Sequence, residues 1–229
     1  FVKAGAVAAA GMAAGIMPNR IVYAGNPTNE KTDGILNYNE QMEYRRGGKT
    51  DLMFSAVCLG GHWKRVNTVV PGLFQGRSWL GADLSSENFE KNRYDVVTQC
   101  IERGINYIDA CTGAEIFAYS KALEGRRDKM YLGWSWYERE ARNPSQCNGD
   151  ALMQVFEDSL REAKQEYVDL YRIVCGVNGR RDKSGKWIFP HSEAESAGIA
   201  EGLRRAKKSG KARATGKGKG RKNLDGADA

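Results

Sequence analysis

The chain has 229 residues, 41% hydrophobic and 28% charged, with a formal net charge of +7. That is the composition of a soluble globular protein, with length for one large domain or two small ones. Ten Lys and Arg and no acid lie between Arg204 and Lys222, so the rest of the chain carries seven less ten, or −3. The basic excess belongs to the C-terminal tail, which excludes a basic body surface, and no nucleic-acid partner is expected.

Cys58, Cys100, Cys111, Cys147 and Cys175 contain no CxxC or CxC pair. This spacing argues against a zinc ribbon or a thioredoxin-type site and leaves mostly free thiols. Residues 1–24 open with Phe-Val-Lys and an Ala/Gly-rich apolar run, then Pro18 and Arg20, with Val22-Tyr23-Ala24 offering small residues at a cleavage site. The run is too short and too weakly apolar for a stable membrane span. It reads as a signal-like segment, similar to the stretch that follows the two arginines of a twin-arginine export signal. An exported or periplasmic location is therefore expected, with a cytoplasmic one as the alternative. Residues 25–41 are polar and read as a linker.

From residue 42 strand and helix signals alternate, which predicts a parallel sheet with helical crossovers. The run Ser55–Leu59 is the first predicted strand, ended by Gly60-Gly61, and a long loop follows. Ser85 or Ser86 caps a helix carrying Phe89, Val97, Cys100 and Ile101 on one face, stopped by Gly104. Ile105–Cys111 is the second strand. A short helix with Ile116, Tyr119 and Leu123 follows, and Met130–Trp136 is the third strand. The strongest helical periodicity, Leu152, Val155, Phe156, Ser159, Leu160 and Ala163, predicts a helix from about Asn148 to Glu166. Val168–Cys175 is the fourth strand, Ser192 caps a further helix closed by Gly210, and Lys211–Thr215 begins a fifth strand. Four β/α units and part of a fifth fit either an open doubly wound sheet or a (β/α)₈ barrel. No GxGxxG or GxxxxGK[ST] loop follows the first strand, which weakens the nucleotide-binding open sheets.

Five pieces then occur in a telling order: MEYRRGGKTDLMFSAVCLGG (42–61), GINYIDAC (104–111), YSKALEGRRDKMYL (119–132), SLREAKQEYVDLYRI (159–173) and AKKSGKARATG (206–216). Over about residues 42–216 the chain resembles the aldo-keto reductases. The resemblance implies an α/β fold, an incomplete (β/α)₈ TIM-type barrel of four to five units. It also implies NADP(H) as cofactor and a small-molecule carbonyl or sugar-like substrate. A barrel of this kind needs roughly 250 residues, whereas residues 217–229 form a Gly/Lys-rich tail without apolar periodicity. A truncated or frame-shifted chain is expected, lacking the phosphate-binding half, with open sheet edges that favour self-association.

The family's catalytic aspartate falls on Asp109. Its tyrosine position is Ala114, its lysine position Ser135 and its histidine position Val174, so activity is expected to be impaired. Glu115 and His62 are the substitute acid/base candidates, with Tyr137 as a third. Gly60, Gly61, Trp134 and Ser135, at the tips of the first and third strands, are the expected cofactor-facing positions. Trp134 and Trp136 line the mouth of the site in this reading. Arg172 shares strand parity with Val174 and is expected to point inward, with Asp109 as its partner. Cys58, Cys111 and Cys175 approach the same rim, where His62 or Asp109 would complete a metal site. Their lack of close ligand pairs favours no metal. The competing reading is a catalytically silent barrel that binds a ligand or a protein.

Overall fold

The computed structural model describes residues 32–63, 84–141, 144–174, 180–181, 187–188 and 192–218. The signal-like segment 1–24, Cys175 and residues 219–229 of the tail lie outside the described residues. The chain divides into two units, Phe1–Gly34 and Ile35–Ala229. In the first, only the exposed turn at residues 32–34 is described.

The second unit begins with a hairpin, β1 (Tyr44–Arg46) and β2 (Met53–Ser55), paired antiparallel. Then follow β3 (Leu59–Gly60), α1 (Glu87–Glu102), β4 (Tyr107–Ala110), α2 (Gly113–Ala122), β5 (Tyr131–Trp134), α3 (Gly149–Glu162) and β6 (Val168–Val174). A small antiparallel hairpin, β7 (Arg180–Arg181) and β8 (Trp187–Ile188), precedes α4 (Glu193–Lys208) and β9 (Ala212–Gly218). The predicted first strand over Ser55–Leu59 is corrected: Ser55 closes the hairpin and only Leu59 and Gly60 enter the main sheet. Ser55 causes the break, because its hydroxyl donates to Val57 O and accepts from Asn106 N, bending the chain between the two strands. The fifth strand runs further than expected, to Gly218.

The main sheet is parallel with order β3-β4-β5-β6-β9. Each new strand is added to the same edge. A doubly wound sheet reverses direction at a switch point and carries helices on both faces. Here all four α-helices of the described residues share one core with Ile108, Ala110, Leu132, Trp134, Tyr171 and Ile173. A second, smaller cluster joins Tyr107, Tyr131, Leu170 and Ala214 to Leu52 and Phe54 of the β1-β2 region and to Leu36. The helices therefore cover one face and the hairpin closes part of the other, as in a singly wound barrel wall.

Local signals explain the helix ends. Ser86 Oγ accepts from Phe89 N, Thr112 Oγ1 from Glu115 N, and Asn148 Oδ1 from Ala151 N, each satisfying one of the free donors of a first turn. Ser192 and Glu195 form a reciprocal capping box on α4. After α1 the chain turns at Gly104 with φ +81°, and a Cβ there would meet Asn39 and the Tyr44 hydroxyl. Among the described residues, no helix is long and apolar enough to cross a membrane.

The N-terminal end of the sheet is held by satisfied polar groups. Asn106 is fully buried. Its amide donates to Leu36 O and Met53 O, and its Oδ1 accepts from Ser55 N. Asn37 donates to Lys129 O and Ile105 O, so this part of the expected linker 25–41 is packed onto the body. Asp169 is 1% exposed and accepts from Leu132 N, Arg127 and Arg213.

Candidate functional site

The C-terminal ends of the parallel strands bring together residues far apart in sequence. Gly60 pairs with Asp109 across β3 and β4, and Asp109 with Gly133 across β4 and β5. Beyond the strands, Ser135 N donates to Ala110 O and Tyr137 N to Cys111 O. Gly60, Asp109 and Trp136 thus reach the same rim.

Asp109 does not stand alone. Its Oδ1 accepts from Arg172 Nε at 2.6 Å and from the Tyr107 hydroxyl at 3.0 Å. Arg172 Nη2 also reaches Ala110 O at 3.4 Å. Burial works against the charge of Arg172, and neighbouring Asp109 more than restores it. Tyr107 and Asp109 are two apart on one strand and so share a face. Close against them, Gly133 has no side chain, and a Cβ there would lie 2.5 Å from the Tyr107 hydroxyl. Tyr107 is the phenol nearest to Asp109, but burial, followed by the Asp109 charge, pushes its pKa well up. It holds its proton and is a poor acid.

The second group is built around Glu115, in the first turn of α2. Its side chain is 0% exposed. Oε2 accepts from Cys111 N at 2.6 Å, and Oε1 lies 2.5 Å from His62 Nδ1. That approach is not aligned as an N–H···O bond, and Oε1 has no hydrogen-bond donor directed at it among the described residues. Gly61 is required here: a Cβ would lie 2.2 Å from the Glu115 carboxyl carbon. On the other side of His62, Trp63 is 1% exposed and packs edge-on against Phe89 and Tyr119, with the Arg93 guanidinium 5.7 Å from its ring centre. His62, its side chain 48% exposed, is therefore fixed between two anchored neighbours. The Cys111 thiol is pushed up to about 12, by burial first and then by the Glu115 charge and hydrogen bond.

The third group was not legible beforehand. Glu140 is 1% exposed. Its carboxylate accepts from Ser135 Oγ at 2.6 Å, Trp136 N at 2.9 Å and Tyr171 Oη at 3.0 Å. Burial nevertheless raises its pKa to about 7, against the lowering by these donors and by Arg172.

Two cofactor-facing expectations need correction. Trp134 is 0% exposed and its side chain lies in the helix-covered core. Ser135 is also 0% exposed, with its hydroxyl committed to Glu140. Strand alternation turns Trp134 toward the helices and the end of β5 buries Ser135, so neither offers a side chain to a ligand. Trp136, 8% exposed, packs on Phe117 and against Gly113, with Arg139 over its ring. Gly61 is filled by Glu115, whereas Gly60 is exposed with open space beside its Cα. Ala114 packs at the edge of the core, and Val174 N donates to Ser135 Oγ.

The fold and rim define a singly wound parallel α/β protein of the (β/α)-barrel class, with its polar groups at the strand C-termini. No family model matches the sequence. Among solved structures, an aldo-keto reductase from Bacillus halodurans in its holo form is similar with a TM-score of 0.51 at 21% identity, covering 77% of this chain and 50% of that one. An aldo-keto reductase from Klebsiella pneumoniae in complex with NADPH gives a TM-score of 0.48 at 18% identity, covering 72% of this chain and 46% of that one. The thermostable aldo-keto reductase Tm1743 with the inhibitor epalrestat gives 0.49 at 20% identity, covering 77% and 53%. The chain spans about half the length of these structures. Its fold is that of the aldo-keto reductases, in a divergent form.

Proposed function

We propose that the chain is an oxidoreductase of carbonyl or sugar-like compounds that uses NADP(H), with His62 in place of the family's tyrosine. The observation that carries this reading is the half-exposed His62 ring, held 2.5 Å from fully buried Glu115 at the rim that also holds Asp109. A carbonyl reduction needs its oxygen polarised and then protonated, and an imidazole fixed by a carboxylate is suited to both. Gly60 and Gly216 fit an approaching flat ring, since open space lies beside both Cα atoms. NADPH, when bound, supplies the hydride. His62 orients and protonates the carbonyl oxygen, Glu115 positions His62, and Arg172 pairs with Asp109.

Activity is proposed to be well below that of a family member with the full set of catalytic groups, because Ala114, Ser135 and Val174 carry none of them. The test is NADPH-dependent reduction of a panel of small aldehydes and sugars, with NADPH binding followed by tryptophan quenching. His62→Ala is expected to lower kcat about 100-fold, in the range of general acid catalysis, while leaving NADPH affinity unchanged. Equal turnover by the variant would remove His62 from the mechanism. Ligand binding without turnover in the unaltered chain would favour the second reading, a silent binding barrel, which Ala114 and the buried Ser135 support. Export through residues 1–24 belongs to the same proposal, as does self-association through the sheet edges β3 and β9. Secretion of a reporter fused to the segment and sedimentation of the chain test them.

A further inference from the structure

We propose that His62, Cys111 and Glu115 form a binding site for one divalent transition-metal ion of the zinc class. One ligand atom from each residue lies within 4.8 Å of the other two. The three come from separate places in the fold: the loop after β3, the end of β4 and the first turn of α2. An imidazole nitrogen, a sulfur and a carboxylate oxygen are the donor set of a borderline-soft ion.

The arrangement has features that a simple ion pair does not need. Glu115 Oε2 is tied to the Cys111 amide, so Oε1 is the oxygen turned toward the cluster. That atom is buried and has no aligned donor. Glu115 Oε1 and His62 Nδ1 stand 2.5 Å apart, a contact that needs a proton on the imidazole or another positive charge beside the pair. One proton meets this need minimally. A divalent ion meets it fully, because a carboxylate and a thiolate neutralise its charge in a buried setting where unbalanced charge is costly. Gly61 lets the backbone close onto the Glu115 carboxyl, which fixes one ligand before any ion arrives. The half-exposed His62 leaves a solvent side for a fourth ligand such as water, as in open three-ligand sites.

Binding does not depend on the proposed reductase activity. Its consequence does: an ion in this position would meet the carbonyl oxygen in place of the His62 proton.

The experiment is titration of the full chain with Co²⁺ and Zn²⁺ under reducing conditions. One equivalent of Co²⁺ is expected to produce a thiolate-to-cobalt absorption band, displaced by Zn²⁺. Cys111→Ser should lose the band, Cys58→Ser should keep it, and His62→Ala should weaken Zn²⁺ by more than about tenfold, the loss already seen on removing an outer-shell partner. On the unaltered chain, one equivalent of Zn²⁺ should slow alkylation of Cys111 and leave that of Cys58 unchanged. Absence of a thiolate band at saturating Co²⁺ would overturn the site. So would a band that survives in Cys111→Ser, or Cys111 alkylation indifferent to Zn²⁺.

Discussion

The two ends of the parallel sheet bury polar groups to a similar degree but satisfy them differently. At the N-terminal end, Asn106 has partners for its amide and its carbonyl oxygen, and Asp169 is met by two arginines and a backbone N–H. At the C-terminal end, Glu115 keeps an oxygen without an aligned donor, and Glu140 is raised to about 7 despite three hydrogen bonds. The first end answers burial with partners and so supports stability. The second carries burial that its partners only partly offset, which is the condition under which carboxyl groups become reactive or responsive.

The contrast is broken most severely at Asp169. Its replacement by alanine leaves Arg127, 17% exposed at its side chain, beside an unpaired Leu132 N–H. The loss is expected to approach about 3 to 5 kcal/mol in urea unfolding, as for other buried pairs stripped of one partner. Arg213, 45% exposed, returns to water and softens the effect. A loss below about 1 kcal/mol would show that the lower end is not what holds the sheet.

The upper end is sharpened by pH. Glu140 has a folded pKa near 7, above its ordinary value of 4.5, so the folded state binds the proton more tightly than the unfolded state. Its contribution is fully present below the ordinary value and is lost as pH rises through about 7. The difference amounts to roughly 3 kcal/mol. Chemical denaturation between acid and neutral pH should show this decline in the unaltered chain, and Glu140→Gln should flatten it. Tyr171, Ser135 and Arg172 surround the group, and none is altered by the substitution. Parallel curves for the two proteins would refute the assignment.

A smaller effect is expected at Gly61. An alanine Cβ would collide with the Glu115 carboxyl, costing about 1 to 3 kcal/mol as an overpacked site. Most of that cost should vanish when Glu115→Ala accompanies Gly61→Ala, a coupling that a double-mutant cycle measures directly. Additive losses would mean that the two residues do not press on each other.

Much of this molecule was readable in one dimension. The cap residues Ser86, Asn148 and Ser192 and the periodic run from Leu152 to Ala163 marked their helices, and the observed elements begin where those residues indicated. The inward Arg172 and its Asp109 partner followed from strand parity. The first strand was misplaced because Ser55 looks like any strand residue until Asn106, 51 positions away, takes its hydrogen bonds. Tyr107 was visible in principle, standing two residues before Asp109 on one strand face. Glu140 was not, since Glu138, Arg139 and Glu140 are alike as a charge run and only packing buries the last of them.

The sequence by itself determined the alternation of strands and helices, because caps and apolar periods act between near neighbours along the chain. Only the tertiary structure decided that the sheet is singly wound, that Glu115 lies under Gly61 beside His62, and that Glu140 is sealed from water. Burial and charge pairing depend on which distant segments meet, and local patterns carry no record of that.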